Sequence, residues 1–334
     1  MPENNFTILR LILATLVVIG HFKVLAGLPS AYSIHGYADF AVDAFFIISG
    51  YLVYGSFANS PQLKGFYIKR FFRIYPLFAF MILVQTLAMI YLLDGKAQAS
   101  DIASYLGYNL IFATFMQNDI GGLLSGLNTD GINPSLWTLK IEAAFYAIVP
   151  LIFWLTRRFG LWILAAIFIA STAYYAVCDY YALASLAKQL PAQMRFFVVG
   201  IFLYIYCNPA LVAGAARYKN GVTMAIIAIM LFAIITLRFD LPLMVIYPLI
   251  VGAFVYIVAL LLPALTLKYD ISYGVYLIHA PLIQIALLLG YYSDSMLFLL
   301  SLLGVVFSLA FLAEKFIELP MIKLGKKLSK KYGE

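Results

Sequence analysis

Eleven apolar stretches follow one another through this 334-residue chain, at 6–26, 36–57, 76–93, 101–117, 135–155, 161–181, 194–208, 221–237, 241–262, 271–290 and 296–317. Lipid offers no partner for backbone N–H and C=O groups, so an apolar run of about 20 residues can cross a bilayer only as a helix. Hydrophobic residues make up 64% of the chain and charged residues 11%, against roughly 45–50% and about 25% in soluble domains. The pattern predicts an all-α fold, a polytopic membrane helix bundle. The fourth stretch, "DIASYLGYNLIFATFMQ", is short and begins polar, so it is expected to be re-entrant or interfacial. About ten transmembrane helices remain. They leave no room for a separate soluble catalytic domain. A membrane domain over 1–320 and a basic cytoplasmic tail over 321–334 are expected, and every ionisable residue within a span becomes a functional candidate.

The net charge of +7 is expected to report orientation, with no nucleic-acid partner. With the N-terminus inside and the fourth stretch not crossing, cytoplasmic segments carry 14 Lys and Arg and external ones 5. That bias favours both termini in the cytoplasm. A signal peptide ending near "VLA" is disfavoured, because a basic n-region is nearly absent. Cys178 and Cys207 fall near opposite membrane faces and are not expected to pair. Three histidines without ligand spacing make no case for a metal.

At 1.5 Å per residue, Arg10 and His21 lie about 16 Å apart along the first helix, near its inner and outer ends respectively. The returning second helix sets Asp43 at a depth close to that of His21. A carboxylate beside an imidazole would hold its tautomer and raise its basicity, as a general base for a hydroxyl requires. Helix-register locking is the plainer reading of such a pair. Glu142, at a similar depth, makes a third titratable group there, and Trp137 and Tyr146 flank it, as sugar contacts or as interfacial anchors.

On the inner side, "LKGFYIKRFFRIYP" places Lys64, Lys69, Arg70 and Arg73 among aromatics; Arg70 and Arg73 share a helical face and can clamp a polyanion, while orientation alone also explains basic loops. Ser49 lacks a nucleophile elbow, so Ser49 and Gly50 read as small-residue helix packing. "ISYGVYLIHAPL" puts Tyr276 and His279 one turn apart, as ligand contacts or core hydrogen bonders. Lys140 could snorkel outwards, and Glu314, Lys315 and Glu318 suit a structural role at an inner helix end.

In this order, the Arg10…His21 spacing, "VDAFFIISGYL", "KRFFRIYP", "SLWTLKIEAAFY", "ISYGVYLIHAPL" and "EKFIELP" resemble membrane-bound acyltransferase family 3, the bacterial integral-membrane carbohydrate O-acyltransferases. The resemblance runs from residue 8 to 320. It departs where the family usually carries a second acidic residue after the glutamate, here Ala143. It implies a bacterial inner membrane, cytoplasmic acyl-CoA, most simply acetyl-CoA, as co-substrate, and a glycan or glycolipid acceptor at that membrane. Arg10, Lys69, Arg70 and Arg73 would then serve the donor, His21, Asp43 and Glu142 the chemistry, and Trp137, Tyr146, Tyr276 and His279 the acceptor. The competing readings are a flippase for a lipid-linked sugar, against which the absence of a clear inverted repeat counts, and a non-catalytic membrane subunit.

Overall fold

The computed structural model describes residues 4–28, 34–207 and 243–332. The helices are α1 (Phe6–Val24), α2 (Ile34–Ala58), α3 (Leu63–Leu92), α4 (Ala99–Leu110), α5 (Trp137–Phe159), α6 (Trp162–Tyr180), α7 (Leu190–Cys207), α8 (Leu243–Tyr256), α9 (Ser272–Leu288), α10 (Met296–Ala313) and α11 (Leu319–Tyr332), and no strand occurs among the described residues. Among the described residues, eight helical stretches are long and apolar enough to cross a membrane, and α9 is a shorter apolar helix. The chain is a multi-pass membrane protein. The span expected at 221–237, with Arg217, Lys219 and Arg238, lies outside the described residues.

Apolar residues facing outwards bear this out. Helix α10 is apolar all round, yet Leu297 and Leu300 are 76% and 58% exposed; such a surface is stable against hydrocarbon, not water. Helix α4 has 12 residues, about 18 Å at 1.5 Å each, too short to span. It stops where Phe112 turns left-handed at φ 64°, as the polar opening of this stretch leads one to expect.

The fold divides into two compact units. The first comprises Met1–Leu9, Val42–Gln62 and Ile141–Leu267, the second Arg10–Ala41, Leu63–Lys140 and Lys268–Glu334. In the first unit α2 and α7 approach so closely that a Cβ at Gly50 would strike the Phe197 carbonyl, and one at Gly200 the Ile47 carbonyl. Small residues permit this backbone contact, as expected for Gly50. Ser49 does more than pack, because its hydroxyl donates to Glu142 at 3.0 Å.

In the second unit α9 seats on α10 through Gly274 against Ala310, and α11 seats on α3 through Gly325 against Phe72. Residues 321–332, expected as a tail, therefore continue as a docked basic helix. Between α10 and α11 lies one wide π-helical turn, Glu314–Glu318, a geometry that recurs at functional sites.

Candidate active site

The second unit carries two polar centres on helix α1. At one end, Arg10 Nη2 donates to Asp270 Oδ2. Arg73 of α3 donates to the same oxygen at 3.1 Å and to Glu318 Oε2 at 3.3 Å. Ser272 Oγ donates to Asp270 Oδ1 at 2.6 Å. Asp270 precedes α9 in an irregular segment. Burial pushes its carboxyl up, but the Arg10 and Arg73 charges and the Ser272 bonds outweigh that and hold it below the ordinary value. Arg10 and Arg73, both expected to serve the donor, thus already share a carboxylate. Arg70 lies with its guanidinium over the Phe66 ring, 5.7 Å from its centroid, and Lys69 beside it is half-buried.

Eleven residues along α1, about 16 Å away, His21 Nδ1 meets His279 Nε2 at 2.8 Å, and Ser135 Oγ lies 3.4 Å from each nitrogen. Pro281 explains how this centre is anchored. A proline lacks the N–H that would bond the carbonyl four residues earlier, here Leu277, and Asn133 Nδ2 supplies the missing donor at 2.9 Å. Gln284 Nε2 donates to the Gly131 carbonyl at 2.9 Å and to that of Thr129 at 3.1 Å. The segment leading into α5 is therefore stapled to α9, which brings Ser135 to the histidines. Tyr276, expected as an acceptor contact, donates to the Ser135 carbonyl at 3.2 Å, and its hydroxyl lies 2.8 Å from Thr138 Oγ1. Trp137 is half-buried on the first turn of α5. Lys140 sits over the Phe115 ring, 4.7 Å from its centroid.

The first unit holds a separate set. Glu142 Oε1 accepts from Tyr146 and from Ser49. Asp43 Oδ2 accepts from Tyr247 at 2.9 Å. The sequence reading joined Asp43 to His21; the described bonds join Tyr247 to Asp43 and His279 to His21. Arg195 is 4% exposed within α7. Its guanidinium lies 3.5 Å from the Tyr175 ring centroid, and Nε and Nη1 have no hydrogen-bond partner among the described residues. Asp43 and Tyr247 are close enough to act on its charge. No cluster of three or more metal-ligating side chains occurs among the described residues, and Cys178 and Cys207 are unpaired thiols.

A protein-family profile described as an acyltransferase domain matches residues 3–315. Nodulation protein 10 of Rhizobium leguminosarum bv. viciae is 25% identical, over 98% of this chain and 95% of its own length. An O-acetyl transferase of Shigella phage Sf6 is 34% identical over 44% of each chain. An uncharacterised protein of Haemophilus influenzae is 27% identical over 58% of this chain and 85% of its own. No solved structure matches.

Proposed function

The chain belongs to the acyltransferase domain family, and from that premise we propose that it moves an acyl group, most simply acetyl, from acyl-CoA to a hydroxyl of a cell-surface glycan or lipid-linked sugar. The observation that carries this reading is the placement of an arginine cluster and a histidine pair on one helix of one unit, about 16 Å apart. A long donor whose phosphates bind at one end and whose thioester reacts at the other needs two such centres. Membership of an acyltransferase family favours transfer over transport.

In this reading His21 removes the acceptor hydroxyl's proton as that oxygen attacks the thioester carbonyl. The carbon–sulfur bond then breaks, and the coenzyme A thiolate takes the proton back from His21. Arg10 and Arg73 already pair with Asp270 and Glu318. They organise the donor end, and direct phosphate contact falls chiefly to Lys69 and Arg70. Asp43 and Glu142, with Tyr146 and Trp137, orient the acceptor. The 14 to 5 basic asymmetry supports donor access from the cytoplasm with both termini inside, and the family resemblance supports a bacterial inner membrane.

Mass analysis of surface glycans from cells with and without the gene tests the reading. A gain of one acyl mass on the glycan is expected; identical glycans, together with no transfer from labelled acetyl-CoA by the purified protein, would overturn it.

A further inference from the structure

The polar contacts around His279 fix the protons of both histidines. His279 Nδ1 lies 3.1 Å from the Val275 carbonyl oxygen. A carbonyl can only accept, so Nδ1 carries the proton and the neutral ring's lone pair is on Nε2. That lone pair faces His21 Nδ1 at 2.8 Å. Two ring nitrogens this close need one proton between them, and it belongs to His21 Nδ1. The ring centroids are 5.1 Å apart, the N···N distance plus one ring radius at each end, so the rings meet edge to edge along the bond.

We propose that His279 is the positioning residue of this protein: its Nε2 accepts the His21 Nδ1–H bond and thereby places the His21 lone pair on Nε2, the nitrogen that takes the acceptor's proton. The tautomer assignment stands on the geometry alone; its catalytic consequence rests on the transfer reaction proposed above. A neutral imidazole thus does what a carboxylate does in a serine-protease triad, holding the base in one tautomer. The arrangement survives the proton transfer unchanged. When His21 Nε2 gains the proton, the Nδ1–H···Nε2 bond to His279 remains and bears the positive charge.

The anchoring supports the role. His279 is fully buried, its Nδ1 is tied to its own helix, and Ser135, beside both rings, is held by Tyr276 and Thr138. Neither ring nitrogen of His279 can change partner without breaking another bond.

The test uses the full chain in lipid nanodiscs with ¹⁵N-labelled histidine. The sequence has three histidines, His21, His35 and His279, so single substitutions assign every ring signal. His21 is expected to be protonated on Nδ1 and bare on Nε2. His279→Gln retains an acceptor oxygen near the Nε2 position and should preserve that pattern, with kcat within about tenfold of the parent. His279→Leu fills the space without an acceptor. It should abolish the fixed Nδ1–H pattern and lower kcat about 10²-fold or more, because general-base catalysis contributes about 10²–10⁴-fold, while KM for acyl-CoA stays at the parental value. A parent His21 protonated on Nε2 and bare on Nδ1 would overturn the proposal, as would a Leu variant that keeps the Nδ1–H pattern. If the Leu variant does not fold, the parent and Gln spectra decide. If no preparation transfers acyl groups, the spectra still decide the tautomer, and only the proposed reaction falls.

Discussion

Replacing Asp270 with Asn removes the charge on which Arg10 and Arg73 converge while keeping the side chain's shape. Asp270 is 17% exposed, and the two arginines 22% and 23%, so solvent replaces little of what is lost. Hydrogen bonds to charged groups contribute about 1.5–3 kcal/mol each, and stranding one side of a buried pair costs about 3–5 kcal/mol. Glu318 stays 3.3 Å from Arg73 and limits the loss at that end. The expected destabilisation is therefore about 3 kcal/mol, at the lower end of the range. In a Cys207→Ser background, the thiol of buried Cys178 reports unfolding in detergent through its reaction with a fluorogenic maleimide. The effect is also signed with pH. The folded Asp270 carboxyl sits below its ordinary value of 3.8, so its contribution is complete above about pH 4 and vanishes as pH falls through the folded value. The gap between parent and variant must close in acid. A neutral-pH difference below about 0.5 kcal/mol, the scale of an ordinary surface substitution, or a gap that widens on acidification, would refute the view of Asp270 as the hub of this cluster.

Lys69→Ala with Arg70→Ala should weaken acyl-CoA binding, measured by calorimetry, more than it weakens acceptor binding; equal effects would return these residues to a topogenic role. Cysteines introduced at 64 and 326 should label with an impermeant reagent only in permeabilised cells, and labelling in intact cells would invert the orientation. Gly200→Ala forces a methyl group onto the Ile47 carbonyl and should cost about 1–3 kcal/mol. Gly107→Ala, which meets nothing, should gain up to about 1 kcal/mol from helix propensity; the same unfolding assay reads both.

The membrane bundle is legible because run length and composition are local properties of the chain. The non-crossing character of α4 is equally local, since length and an early polar run decide it. The separation of Arg10 and His21 follows from helical rise alone. Partners distant in sequence are another matter. His21 and His279 lie 258 residues apart, and nothing near His21 distinguishes His279 from Asp43 as the group on its Nδ1. Asp270 escaped notice because one acidic residue ahead of "ISYGVY" carries no spacing signal. Arg195, near the start of an apolar run, carries no local sign of its partner; the fold sets it in the second turn of α7, over the Tyr175 ring. Pro281 was the one local clue to the α9 staple, since a proline inside a helix leaves a carbonyl that some other donor must satisfy.

The central claim is that acyl transfer runs through His21. Purified protein in nanodiscs, given labelled acetyl-CoA and a glycan acceptor extracted from its own cells, should transfer label to the glycan. The His21→Ala protein should bind acetyl-CoA with parental affinity, unfold at the parental temperature, and transfer at least about 10²-fold more slowly. A folded His21→Ala protein that transfers at the parental rate would contradict the account and leave the His21–His279 contact as a bond that only fixes α1 against α9.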